Sequence, residues 1–135
     1  MKLTDLAILD WVLINNTPHK IQAIDSIDAE ILADDELYYV GEDRCHSEDK
    51  IEPIPLTPEI LEKNGFVFDC DFWTIANPRY NNVRMVRYCS IDEDATDAFL
   101  GHWAFDENYA IDFVHELQHA LRLCGLNEIA DNFKI

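Results

Sequence analysis

Three observations on the amino-acid sequence predict an α+β fold. In this fold a small β-unit precedes an antiparallel sheet that packs with helices. Short apolar or alternating runs separated by turn residues fill the first third of the chain, a pattern typical of β-strands. Thr57 and Pro58 supply an N-cap and a proline at the first helical position, which predicts a short helix. Residues 106–124 repeat apolar side chains at three- and four-residue steps, which indicates a long C-terminal helix.

The first predicted unit, residues 1–50, consists of short strands and has the size of an SH3-like β-unit. Residues 15–18, Asn-Asn-Thr-Pro, are predicted to form a turn between two strands, since asparagine and proline favour turn conformations. A second turn is predicted at residues 33–36. The segment 41–50 is polar, charged and without periodicity, which predicts an exposed loop at the boundary between the units. The strands of this unit are predicted at 10–15, 19–25, 29–32 and 37–40.

The second predicted unit, residues 51–135, is an α+β unit with a short helix at 57–64 and the long helix near its end. Gly65 ends the short helix because glycine accepts the left-handed backbone that closes helices. The tail from residue 126 adds either an edge strand or a short last helix. We expect both units to form one compact structural unit. The strands of the second unit are predicted at 66–69, 72–76, 83–90 and 98–105.

The chain carries 10 basic residues against 27 acidic ones, a net charge of −17. This charge repels phosphate backbones and anionic membranes, so we expect no direct nucleic-acid binding and no membrane association. No apolar run approaches the ~18 residues that span a bilayer, and acidic residues interrupt the N-terminal stretch where a secretory signal is apolar. We therefore expect a cytoplasmic protein whose partner is either a protein with a basic surface or a small-molecule ligand.

The four cysteines form no Cys-x-x-Cys pair, so a zinc finger is not expected. Cys124 falls on the apolar face of the long helix and Cys89 in a strand-like run, where each is expected to be a small buried hydrophobic residue. Cys45 stands beside His46 in the polar loop, and the favoured interpretation of this pair is an ordinary loop. Reduced thiols are typical of a cytosolic protein.

The long helix has a predicted N-cap at Asp106 and ends at Gly125. At about 100° per residue, His115 and His119 lie almost opposite the centre of the apolar stripe, so both are expected to point away from the core. The stripe comprises Ala110, Phe113, Val114, Leu117, Ala120, Leu121 and Cys124.

Residues 115–119 read His-Glu-Leu-Gln-His, the pattern found on metalloprotease helices. Two histidines one turn apart can bind one zinc ion, so His115 and His119 are candidate metal ligands and Glu116 is the candidate general base. A catalytic zinc needs a third protein ligand, for which Glu128 is the predicted residue. Other candidates for this place are Asp131, His102 and His46. The competing interpretation, which the sequence favours, is a solvated helix face with no cofactor.

Two further groups of residues have both a structural and a functional interpretation. The segment 91–96 is acidic but lacks the glycine and the closing glutamate of a calcium loop, so an acidic surface loop is favoured. A set of aromatic residues can line a small-molecule pocket between sheet and helix, although ordinary core packing is favoured. The set is Phe66, Phe68, Phe72, Trp73, Trp103 and Phe105.

Three stretches, residues 6–12, 51–66 and 114–121, together resemble a family of small uncharacterised proteins of Bacteroides-type gut bacteria, their phages and their conjugative elements. The motifs on which this resemblance rests are Leu-Ala-Ile-Leu-Asp-Trp-Val, Pro-Ile-Pro-Leu-Thr-Pro-Glu-Ile-Leu and Val-His-Glu-Leu-Gln. The family usually has Gly-Asn where this chain has Leu9-Asp10, and often has Val-His-Gln-Leu-Gln-Asn at the helix. The resemblance implies that the helix is structural and that the protein is a non-catalytic binding or modulating protein of a mobile element. Its partner would be a host protein with a basic surface or a small ligand.

Overall fold

The computed structural model describes residues 3–40, 49–77, 82–89, 101–106 and 109–135. These residues form two antiparallel five-stranded sheets, a short 3-10 helix and three α-helices, which confirms the predicted α+β class. Contacts divide the chain into two compact units, Met1–Ile54 and Pro55–Ile135. The SH3-like character of the first unit stays a prediction.

The first unit is a single sheet in the spatial order β4-β3-β2-β1-β5. Buried and half-buried residues alternate along β1 and β3, because successive side chains of a strand point to opposite faces. The strands are β1 (Trp11–Ile14), β2 (Thr17–Asp25), β3 (Glu30–Ala33), β4 (Glu36–Tyr39) and β5 (Ile51–Pro53). The core of the unit comprises Leu6, Val12, Ile14, Ile21, Ile31, Ala33 and Ile51.

Two-residue turns connect β1 to β2 and β3 to β4 in this unit. Asn15 and Asn16 have φ values of 50° and 69° between β1 and β2, and Asp34 and Asp35 have values of 50° and 61° between β3 and β4. Two consecutive positive φ values match the right-handed twist of the flanking strands, and Asn and Asp tolerate them better than most residues. The turn predicted at 33–36 is therefore confirmed, and the one predicted at 15–18 is confirmed at Asn15 and Asn16, whereas Thr17 and Pro18 already pair with β1 as the start of β2.

The second unit is a sheet in the order β10-β9-β8-β7-β6 with three helices. A row of paired, buried residues crosses its centre, since Trp73 pairs with Val86 and Val86 with Phe105. The predicted short helix is present, and the tail forms a short last helix rather than an edge strand. The elements are α1 (Pro58–Lys63), β6 (Val67–Asp69), β7 (Phe72–Asn77), β8 (Asn82–Tyr88), β9 (Trp103–Phe105), β10 (Tyr109–Ala110), α2 (Val114–Leu123) and α3 (Asn127–Asp131).

Helix α2 has ten residues, so the prediction of a helix over 106–124 was wrong at its N-terminal end. Asp106 is not the N-cap: its φ is 49°, and Tyr109–Ala110 pair with β9 as strand β10. Phe113, in an extended conformation, precedes the first helical turn instead. The apolar spacing continues through β10, and backbone pairing with β9 overrides it. The C-terminal end is as predicted, with Gly125 at φ 78°.

Some predictions fall outside the described residues. These are the interpretations of Cys45 and His46 and of the segment 91–96, together with parts of the predicted loop at 41–50 and of the predicted strand at 98–105. Within the described part of the chain, no helix is long and apolar enough to cross a membrane.

Candidate functional site

A cavity of about 470 Å³ lies in the second unit, with walls from β8, β9, β10 and α2. Apolar side chains form much of its surface, and among the described residues four bring a carboxylate, a guanidinium or an imidazole to it, in addition to a thiol and a phenol. Phe105 and Ile111 are almost fully buried beneath it, whereas Leu123 is exposed at its mouth. The four residues are Arg84, Asp106, Glu116 and His119, the thiol is that of Cys124 and the phenol is that of Tyr109.

Arg84 and Asp106 form an ion pair in the cavity wall. A guanidinium Nη1 of Arg84, on β8, donates to Oδ2 of Asp106, directly after β9, at 2.9 Å. Both side chains are mostly buried, with 30% and 18% of their surface exposed. Arg84 and the buried Val86 are two residues apart on β8, so their side chains lie on the same face of the sheet. The pair therefore contributes two charges that largely neutralise each other.

Glu116 caps the N-terminus of α2. Its Oε1 accepts hydrogen bonds from the backbone N–H groups of Asp112 and Phe113, each at 3.2 Å. This is the glutamate half of a capping box, since Phe113 has no side-chain acceptor to supply the other half. Burial raises the pKa of Glu116, the Asp112 carboxylate adds to this increase, and the two backbone hydrogen bonds and His119 oppose it. Oε2 makes no hydrogen bond within the described residues.

The two histidines of the motif have different surroundings. His115 is buried, with 7% of its surface exposed, and its ring stacks on that of Phe113 at a centroid distance of 6.1 Å. His119 is half-buried and lines the cavity. Their rings meet edge to face with centroids 5.7 Å apart. The prediction that both point away from the core was therefore wrong for His115, which packs at the start of the helix.

The structure brings His115 and His119 together but does not bring Glu128 to them. Glu128 is exposed on α3 and lines a different depression, next to Lys63 and Asn64. The other predicted third ligands have partners elsewhere or are not described: Asp131 pairs with Arg122, His102 pairs with Asp112, and His46 lies outside the described residues. In the described ranges, no three His, Cys, Asp or Glu side chains form a group that could hold a metal ion.

Cys124 is half-buried beside this cavity, and burial raises the pKa of its thiol, while Arg84 lowers it and Asp106 raises it. Sequence reasoning placed this cysteine on the apolar face but did not assign it to a pocket. Of the predicted aromatic set, Phe105 lines the cavity, whereas Phe66, Trp73 and Trp103 are buried core residues and Phe68 is 56% exposed.

Arg84 and Asp106 are the site residues that sequence reasoning missed. The sequence does contain one indication of them. Arg84 is two residues from the apolar Val86 in a predicted strand, so its charged group is expected on the inner face of the sheet. No protein-family model, curated protein or solved structure matches the chain. Function is therefore inferred from the geometry and the charges of this cavity.

Proposed function

We propose that the protein is a non-catalytic binding protein that holds a small organic molecule in the cavity beside α2. The observation that carries this proposal is the cavity itself. Its volume of about 470 Å³ lies in the range of small-molecule sites, and its apolar walls with a few polar groups are typical of them. Such a cavity can exclude water from an apolar ligand while its polar groups orient one end.

The hydrogen bonds and charges of the polar groups in the cavity support binding rather than catalysis. One oxygen of Glu116 is engaged by two backbone N–H groups, and Arg84 is engaged by Asp106. The raised pKa of Cys124 keeps this residue in the thiol form near neutral pH, whereas a nucleophile needs the thiolate. These groups are arranged to hold positions and charges rather than to exchange protons with a substrate.

Fluorine NMR with para-fluorobenzyl alcohol tests this proposal, because the probe is neutral and small enough for the cavity. We expect its resonance to broaden or shift with the wild-type protein. Ala120→Phe, which fills the cavity wall, should abolish the effect. Ala110→Phe is a second filling variant at an exposed lining position, where folding is easier to retain. Ala76→Phe, the same change at an exposed position of β7 away from the cavity, is the matched control.

Two results contradict the proposal. The first is an unchanged probe resonance at millimolar concentrations of the wild-type protein and probe. The second is equal binding by the wild type and by both filling variants, provided that their thermal melts show folded protein. Binding by Ala76→Phe but by neither filling variant supports it.

A host protein with a basic surface is the other partner class, and the net charge of −17 supports it, as does the resemblance to mobile-element proteins. Its test is retention of a host protein at low salt, with release at high salt because salt screens exposed charges. No retention at low salt contradicts this version.

A zinc-dependent hydrolase is the competing function, and the approach of the two imidazole rings to 5.7 Å between centroids is the observation in its favour. His115 and His119 would hold the ion, with Glu116 as the general base. A metal assay on untagged protein reconstituted with zinc decides it. Stoichiometric zinc with a raised melting temperature supports the hydrolase, and an unchanged melting temperature contradicts it.

A further inference from the structure

We infer that the cavity binds an organic cation, in which a primary ammonium group is attached to an apolar body. This inference rests on the proposed function, since it names the class of ligand for the same cavity. Its basis is the balance of charges in the cavity wall and the position of the Glu116 carboxylate among them.

The Arg84–Asp106 ion pair leaves little net charge in the wall. The remaining carboxylate is Glu116, and the carboxylate of Asp112 acts on it with the same sign. Arg84 donates to Asp106, so no arginine or lysine among the described lining residues balances Glu116. Carboxylates therefore outnumber arginines and lysines by one among the described lining residues, and this excess favours a positively charged ligand group.

The geometry of Glu116 leaves one oxygen available to a ligand. Oε1 accepts both backbone hydrogen bonds of the helix cap, whereas Oε2 has no hydrogen-bond donor among the described residues. An ammonium group has three N–H donors and no acceptor, so it can satisfy this oxygen. Hydrogen bonds between charged partners are stronger than neutral ones, and partial burial strengthens them further. Burial is also the largest cause of the raised pKa of this carboxyl.

An anionic ligand is disfavoured by the same residues. Arg84 is the one arginine or lysine among the described residues of the lining, and its Nη1 already donates to Asp106. A ligand carboxylate that displaced Asp106 would leave a mostly buried carboxylate without its cation and would approach Glu116 with the same charge. The net charge of −17 acts in the same direction, because it attracts cations and repels anions at long range.

The apolar body of the ligand has a surface to contact. Phe105 and Ile111 are buried at 1% and 2% exposure, and Ala120 lies between Glu116 and Leu123 on the cavity side of α2. Removing apolar ligand surface from water against these side chains supplies affinity, and the carboxylate selects for charge.

The test compares three probes of similar size by fluorine NMR titration at about pH 8. They are para-fluorobenzylamine, para-fluorobenzyl alcohol and para-fluorophenylacetate, which are cationic, neutral and anionic. We expect the amine to bind the wild-type protein about tenfold more tightly than the alcohol, and the acetate most weakly. Glu116→Gln should reduce the ratio of amine affinity to alcohol affinity to about twofold or less. Glu62→Gln, the same change at an exposed position of α1, is the control for net charge.

The outcomes separate this inference from the proposed function. Equal binding of amine and alcohol overturns the inference and leaves the binding function intact, whereas tightest binding of the acetate assigns selection to Arg84 and also overturns it. Failure of all three probes overturns both. Should Glu116→Gln not fold, nuclear Overhauser effects decide with the wild type. Contacts from the aminomethyl protons to Glu116 and from the ring to Phe105 support the inference, and the reverse orientation overturns it.

Discussion

Leu117, His115 and His119 lie on one helix but differ in burial. Replacing each by alanine should therefore destabilise the protein to a different extent, most for the most buried residue. Leu117 is fully buried, His115 is 7% exposed and His119 is half-buried at the cavity. We expect Leu117→Ala to lower the free energy of unfolding by about 2–5 kcal/mol, since a buried leucine leaves a cavity. His115→Ala should cost about 1–3 kcal/mol and His119→Ala about 1 kcal/mol or less. Urea melts without added metal measure all three, and a His119 variant as unstable as the Leu117 variant would contradict this order.

Glu116 should make stability depend on pH in a defined direction. Burial raises its pKa above the ordinary value of 4.5, so the folded state keeps this proton to a higher pH than the unfolded chain does. In the window above that ordinary value, unfolding releases the proton, and the free energy of unfolding falls as pH rises. Glu116→Gln has no such group. The difference in unfolding free energy, wild type minus variant, should therefore decrease with rising pH in urea melts. A difference that increases with pH would contradict this assignment.

The stability of helix α1 depends on its N-terminal cap. Oγ1 of Thr57 accepts a hydrogen bond from the backbone N–H of Ile60 at 3.3 Å, and Pro58 occupies the first helical position. We expect Thr57→Ala to cost about 1 kcal/mol of unfolding free energy, the usual value of a helix cap. Thr57→Ser retains the hydroxyl and should cost much less. Chemical denaturation of both variants checks this, and equal losses would show that the hydroxyl is not the cause.

The packing of α2 with α3 includes a buried polar contact. Gln118 is fully buried, and its Nε2 donates to the backbone carbonyl of Ala130 at 2.9 Å. Gln118→Met keeps similar volume but removes this donor, so the carbonyl loses a partner away from water. We expect a loss of about 1–3 kcal/mol in thermal or urea melts. Unchanged stability would mean that the contact is replaced or unimportant for unfolding.

The whole molecule carries a net charge of −17, and we expect this charge to make its melting temperature depend on salt concentration. Repulsion among like charges destabilises a compact state, and salt screens it. We therefore expect the melting temperature to rise by a few degrees as potassium chloride increases from about 0.02 to 0.5 M. Calorimetry checks this, and a melting temperature that falls over this range would show that attractive ion pairs such as Arg84–Asp106 outweigh the repulsion.

Local chemistry determined much of the fold. The turns at Asn15-Asn16 and Asp34-Asp35, the capped start of α1 and the end of α2 at Gly125 each depend on a few adjacent residues. Their conformational preferences act over one or two residues, so sequence reasoning found them. The α+β class followed from the same signals together with apolar spacing. Glu116 and His119 were singled out for a zinc site, which stays a prediction, because the motif places them on one helix within about a turn.

Tertiary structure alone decided where α2 begins, how His115 is buried and which side chains share the cavity. Strand β10 replaces the predicted first turns of the helix, since its backbone groups pair with β9, a partner that spacing along the chain does not reveal. Arg84 and Asp106 are 22 residues apart and meet only through the pairing of β8 with β9. A sequence specifies such a pair through the register of two strands, and that register depends on the whole sheet rather than on either residue.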